Sequence, residues 1–176
     1  MAVSLENYAK KCKVTQGGII KAYIFPFVFH KRSLIKDDGM SLIEFPNTTI
    51  FEFDTIGNYN QSSSVEDGAV SFEHSVNLQL SKVYDTFLDI NQLVNNDFRV
   101  IVETNNKQLI IFGTRNGMSC SASNATGQNK SDFNGFSLDF RGKEEKTGLL
   151  ISSLEDLGFN VFVPNASFQY TFDFNF

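Results

Sequence analysis

The sequence predicts a mainly β domain, an antiparallel β-sandwich or barrel with one flanking α-helix. Three observations predict it. Apolar and polar residues alternate with period 2 through most of the 176 residues, the pattern of half-buried strands. One long stretch switches to helical spacing. The rings are 19 Phe and 5 Tyr with no Trp, and such side chains favour pleated surfaces.

IIKAYIFPFVF (19–29) is an early strand interrupted at Pro26, which lacks a ladder donor and is therefore expected at a sheet edge or a bulge. TTIFEFD (48–54) is a second strand. GNYNQSSSVEDG (57–68) is polar and is expected to form a long, flexible hairpin loop. In SFEHSVNLQLS (71–81), Phe72, His74, Val76, Leu78 and Leu80 share one face and the polar residues share the other. VYDTFLDINQLVNN then sets Val83, Phe87, Ile90 and Val94 at helical spacing, ended by Asn95 and Asn96. FRVIVET and KQLIIFG are more continuously apolar, with Asn105-Asn106 suited to the turn between them because Asn tolerates left-handed backbone. GFSLDFR points Phe136, Leu138 and Phe140 inward. Ser152 and Glu155 form a capping-box pair for a second, short helix that Gly158 would stop. FNVFVP returns to strand, and SFQYTFDFNF (167–176) places five rings on alternate residues.

The length suits one core. The expected organisation is a β domain over 1–148 and a C-terminal extension over 149–176, comprising the short helix and added strands.

The net charge is −5, from 15 basic and 20 acidic side chains without long runs of either sign. A conventional nucleic-acid module needs a basic stripe to neutralise phosphates, and none is present. Cys12 and Cys120 suggest neither a disulfide framework nor a zinc motif. The N-terminal MAVSLENYAKKCK has no apolar run behind its charges, so no secretory signal is expected. No apolar run reaches the length of a spanning helix, and no membrane insertion is expected.

Catalysis needs a nucleophile, a base and a stabiliser that converge. His74 sits on an apolar strand face, where a packed, hydrogen-bonded imidazole is expected; an enzyme would need His30, His74 or Asp132 to cluster in a pocket. Asp85 and Asp89 fit the solvated face of the helix. Cys120 in SCSAS is a small, inert thiol. NKSDFNG fails the calcium-loop pattern, because Lys130 and Arg141 would occupy its first and twelfth positions. FGTRNG lacks any phosphate-loop spacing, and Asn116-Gly117 more simply makes a turn. The expectation is a protein that is not an enzyme and that uses no cofactor and no metal.

The order of the motifs carries further information. CKVTQGGI precedes a strand, and a polar loop leads into VSFEHSVNLQLSK and a helix. The hairpin FRVIVETNNKQLIIFG then enters TRNGMSCSASNATGQNKSDFNGFSLDFRGKE. Gly113, Gly117, Met118, Thr126, Gly127, Asp132, Asn134, Gly135, Phe136, Leu138, Phe140, Gly142 and Glu144 fit a G-x-x-x-G-M … T-G … D-x-N/S-G-[YF]-x-L-x-F-x-G-x-E pattern. Over residues 10–147 the chain resembles the tail-tube-like structural proteins of phages of Bacteroidetes hosts, including the tail ring proteins of crAss-like phages. The resemblance implies a β-sandwich or barrel of the tail-tube type with a flanking helix, closing into rings by strand pairing. It implies a virion structural protein, made in the host bacterial cytoplasm and placed in the phage tail as a tube, neck or barrel ring. Its partners would be copies of itself, adjacent tail or neck proteins, and viral DNA that passes without specific binding during ejection.

The chain departs from that pattern by continuing beyond Glu144 through LLISSLEDLGFNVFVPNASFQYTFDFNF, which favours a specialised ring. Phe168, Tyr170, Phe172, Phe174 and Phe176 are therefore candidate interface residues, completing the chain's own sheet or augmenting a neighbour's. Glu66 and Asp67 in the polar loop are candidates for contacts between subunits or rings. The alternative is a carbohydrate- or receptor-binding β-sandwich, weakened by the lack of Trp. An outer-membrane barrel would share the aromatic terminal strand but not the helix or the continuous apolar runs.

Overall fold

The computed structural model describes residues 17–66, 68–81, 94–126 and 134–163. It is mainly β and contains a closed antiparallel barrel. The strands are β1 (Ile19–Pro26), β2 (Lys36–Asp37), β3 (Leu42–Glu44), β4 (Thr48–Glu66), β5 (Ala69–Ser81), β6 (Asp97–Thr104), β7 (Leu109–Phe112), β8 (Met118–Thr126), β9 (Asn134–Glu144), β10 (Leu149–Ile151) and β11 (Phe159–Phe162). The order β1-β4-β5-β9-β8-β6 closes on itself because β6 pairs back to β1. β7 and β10 continue outward from β6, and β11 joins β4 in parallel.

Two cores explain two kinds of strand. Inside the barrel, Ala22, Ile24, Val76, Leu78, Val100 and Phe140 pack with their neighbours. On the outer surface of β1, β6 and β7, a second core gathers Tyr23, Phe25, Ile101 and Ile111 with Phe45 and Phe159. β1 and β6 are thus covered on both faces, which is why IIKAYIF and FRVIVE read as continuous apolar runs. β5 and β9 are covered only from inside and keep strict alternation: His74, Val76, Leu78 and Leu80 are buried, whereas Glu73 and Gln79 are exposed.

The structure changes four expectations. Pro26 lies on no edge strand, since β1 pairs with both β4 and β6. It is the last residue of β1, beyond the Ile24↔Phe51 pair that ends the β4 ladder, so its missing N–H costs nothing there. Residues 57–68 are not a loop: β4 runs on to Glu66, pairs residue for residue with β5 down to Glu66↔Ala69, and leaves only Asp67-Gly68 as the connection. That Asp-Gly pair is itself a strong hairpin signal. In the β6–β7 hairpin the left-handed residue is Lys107 (φ 62°), not either Asn. Lys107 N–H donates to Thr104 O and Thr104 N–H to Gln108 O, a turn followed by a bulge residue.

The short helix expected from Ser152 is instead one tight turn. Asp156 N–H donates to Ser153 Oγ, so the cap is one residue later. Phe159 N–H donates to Leu154 O and Gly158 N–H to Glu155 O, with Gly158 left-handed at φ 78°. This is a helix-terminating bond pattern without a helix before it. It seats Leu157 and Phe159 in the outer core, where both are buried. The helix expected over 83–95 lies outside the described residues, except that Val94 and Asn95 are helical.

Candidate functional site

The outer surface of the barrel has two characters. The half formed by β1, β6 and β7 is buried under the second core. The other half, from the distal part of β4 through β5 and β9 to β8, is a polar sheet that no second core covers among the described residues. Register places Asn60 beside Ser75 and Ser75 beside Arg141, then Arg141 beside Ser119. One row along, Asn58, Asn77, Asp139 and Ser121 align in the same way. Many of these groups satisfy one another. Arg141 pairs with Asp139 at 2.7 Å, Ser64 and Ser71 share a bond of 3.0 Å, and Ser119 Oγ donates to Arg141 O. Glu73 and Asp139 balance Arg141 and Lys143, so this face carries no strong field of either sign.

A cleft of about 500 Å³ lies on this face, lined by Asn60, Ser62, Glu73, Ser75, Arg141 and Lys143, with the register partners His74 and Gly142 between them. Its groups donate and accept hydrogen bonds, and among them the Ser75 hydroxyl donates to Asp139 Oδ1 at 3.4 Å. The two histidines are not brought together, and Asp132 lies outside the described residues. His30 packs against Phe45 with ring centroids 5.9 Å apart, at the outer core. His74 is buried at 2% exposure with its ring 5.2 Å from Phe112, inside the barrel. The expected packing holds, but the expected hydrogen bond does not: neither ring nitrogen of His74 has a partner among the described residues. Cys120 is buried, and burial followed by the nearby Asp139 pushes its thiol up to about 12, far from a reactive thiolate.

The lone imidazole makes a pH prediction. Burial lowers the His74 pKa from its ordinary 6.5, with the Glu144 carboxylate opposing that shift. The folded state therefore binds this proton less readily than the unfolded chain, and stability falls as the pH drops below about 6.5. His74→Leu is expected to raise stability by about 1 kcal/mol at pH 7 by removing two unsatisfied nitrogens. It should also flatten the pH dependence between about 7 and 5, as read from urea midpoints at each pH. A second acid loss is expected near Asp37. Burial raises its pKa, but bonds from Lys146 (2.6 Å) and Gly39 N–H, with Arg115 nearby, outweigh that and hold it below its ordinary 3.8. That contribution is present above about 3.8 and is lost as the pH falls below it, through the lower pKa of the folded state.

Of the groups that hold the site together, Glu144 entered the sequence reading only as the last motif residue with no role assigned, and Arg99 did not enter it at all. Glu144, 2% exposed, accepts from Arg115 N–H (2.8 Å), Asn116 N–H (3.1 Å) and Thr114 Oγ–H (3.0 Å). It therefore ties down the whole turn between β7 and β8. That turn begins and ends in left-handed glycines, Gly113 and Gly117, both at φ 75°. Gly142 must lack a side chain, because a Cβ there would sit 2.7 Å from Gly117 O. The spaced glycines and the final glutamate of the motif thus meet at one structural knot. Arg99, 1% exposed, is the second missed group. It donates to Val28 O (2.9 Å) and Thr114 O (3.2 Å) and lies 4.4 Å from the Phe27 ring centroid.

Of the expected interface residues, Glu66 closes β4 opposite Ala69. Asp67, Phe168, Tyr170, Phe172, Phe174 and Phe176 lie outside the described residues. Among the described residues, no group of three His, Cys, Asp or Glu side chains could hold a metal ion, and no helix is long and apolar enough to cross a membrane. No protein-family model matches the chain, and neither a curated protein nor a solved structure does.

Proposed function

We propose that the chain is a ring-forming structural subunit of a bacteriophage tail, in a tube, neck or barrel ring that lines the conduit for genome ejection. The observation that carries the proposal is the one-sided barrel: an apolar outer half sealed by a second core, against a face of Ser, Asn and compensated charge that no second core covers among the described residues. A DNA conduit needs a wall that phosphates pass without being held, and a charge-balanced polar sheet offers no counterion-releasing stripe. The β4–β5 ribbon continues that face beyond the barrel and gives the subunit a projection toward a neighbour. The ordered motifs over 10–147 add the tail-tube type and its flanking helix over 83–95 to the same reading.

Negative-stain electron microscopy of the purified protein, with mass by light scattering, tests this. Rings or tubes with a central hole are expected, and their symmetry separates a tube from a neck or barrel ring. A chain that stays monomeric at every concentration and binds glycans would instead favour a carbohydrate-binding module. The cleft beside Asn60, Glu73 and Arg141 is the observation that favours that second reading.

A further inference from the structure

We propose that His74 is an acid-operated latch: once its ring takes a proton from solvent, Glu144 loses its grip on the turn between β7 and β8, and the barrel opens at the β6–β8 seam while its other ladders stay closed. A cluster of groups on one inner face makes this possible. His74 is 2% exposed, and neither ring nitrogen has a hydrogen-bond partner among the described residues. Its ladder partner on β9 is Gly142, and Glu144 stands two residues farther along the same face, a diagonal neighbour. Such diagonals set residues roughly 7–8 Å apart, within reach of ring and long side chains.

The other groups around the ring are committed or uncharged. From β4, Gln61 flanks it directly, but its amide is spent on Thr147 Oγ (2.8 Å) and Gly148 N–H (3.0 Å). Phe112 approaches from β7, and the Tyr59 ring, also on the inner side of β4, lies 5.3 Å from Phe112. Glu73 on β5 and Arg141 and Lys143 on β9 are out of phase and belong to the outer face. Glu145 and Lys146 pair with Arg32 and Asp37. Arg115 is turned toward Ile35 O and Asp37, and Arg99 reaches Thr114 O from the outer core. Among the described residues, Glu144 is therefore the one charged group on the ring's own face.

A neutral imidazole leaves that carboxylate undisturbed. An imidazolium does not, because both of its nitrogens donate. Glu144 Oε1 already accepts from Arg115 N–H and Asn116 N–H, and Oε2 accepts from Thr114 Oγ–H. These bonds hold the turn because the acceptor is charged, and charge-assisted bonds are about twice as strong as neutral ones. A cation drawn to the open side of Oε2 cancels that charge and weakens all three. The second ring N–H then has no unspent side-chain acceptor on this face, and water supplies one only where the turn lifts. The cover there is thin: a Cβ on Gly142 would meet Gly117 O at 2.7 Å and Met118 Cγ at 3.0 Å, so the turn rests directly on the backbone beside the ring. Met118 opens β8, whose seam with β6 has only the Asp97↔Ser119 and Phe98↔Met118 pairs. Burial keeps the ring neutral at pH 7, against the opposing pull of Glu144, so the latch is closed there and yields in mild acid. The latch belongs to the fold of one chain and does not require ring formation.

The test is a nuclear magnetic resonance titration of the full-length, nitrogen-15-labelled chain from about pH 8 to about pH 5, the range in which imidazole titrates. His74→Leu and His74→Phe are the controls. The His74 ring resonances give its protonation midpoint, and amide exchange, corrected for its intrinsic pH dependence, gives the protection of each ladder. In the unmodified chain the Arg115 and Asn116 amide resonances are expected to move with the ring's midpoint. Protection of the β6–β8 amides should fall about tenfold per pH unit below that midpoint, the slope of a one-proton linkage, while β5–β9 amides keep theirs. Turn and seam should be unchanged over the same range in both controls. Turn amides that follow pH equally in a control would assign the effect to another group and overturn the proposal. So would a ring that titrates with turn and seam unmoved, or one that gains its proton only as every ladder loses protection together. If neither control folds, the ring midpoint and the ladder protections of the unmodified chain still decide between these outcomes.

Discussion

Glu144→Ala is expected to destabilise the domain by about 4 kcal/mol, enough to consume much of the 5–15 kcal/mol that holds a typical domain folded. The carboxylate accepts from two backbone amides and one hydroxyl in a site that water does not reach. Each buried donor left without a partner costs about 1–3 kcal/mol, and charge-assisted bonds lie at the upper end. The loss is also not local. β8 meets β6 through only Asp97↔Ser119 and Phe98↔Met118, the shortest seam in the ring of strands. The turn that Glu144 fixes leads directly into Met118, so freeing it loosens that seam. Glu144→Gln keeps the shape and one acceptor oxygen and should cost about half as much. Urea unfolding followed by far-ultraviolet circular dichroism measures both, the chain having no Trp to report by fluorescence. An alanine variant within about 1 kcal/mol of the unmodified chain would show that the turn finds other acceptors.

Legibility from sequence followed burial rather than element type. β5 and β9 declared themselves because one face is wet and the other dry, so alternation recorded their orientation residue by residue. β1 and β6 announced strands but not their neighbours, since two covered faces erase the alternation. The distal half of β4 was missed because Asn58–Ser64 has low strand propensity and no apolar stripe. It is a strand because β5 supplies an unbroken antiparallel ladder, a non-local cause. Barrel closure is non-local too, resting on β6 pairing with β1 at one edge and β8 at the other. Arg99 was passed over, and Glu144 was given no structural role, because charged residues are usually surface residues. The one available signal was the position of Glu144 at the end of the glycine motif, which marked a spacing without revealing the turn it ties.

Arg99 makes the second large prediction, and its outcome bears on how the seam is sealed. The side chain lies on the outer face of β6, between the barrel and the second core. Its guanidinium bridges Val28 O and Thr114 O, with Phe27 and Phe45 at 4.4 and 5.3 Å. Burial lowers its pKa to about 10, with Glu144 opposing the shift, so it is still a cation at neutral pH. Its charge meets carbonyl dipoles and ring faces at close range, and not a directly bonded carboxylate. Arg99→Ala removes the bridge, leaves both carbonyls bare and opens a void between two rings, for an expected cost of about 4 kcal/mol. Arg99→Met refills the void with an apolar stem but still leaves the carbonyls unpaired, so about half of that loss should return. Full recovery in the methionine variant would mean that packing alone closes the barrel at this point, as in proteins where a buried charge is replaceable by hydrophobic residues. If both variants lose stability equally, the bond from β6 to the turn beside Glu144 is what keeps β6 and β8 joined, and the polar face of the barrel depends on a cation hidden behind it.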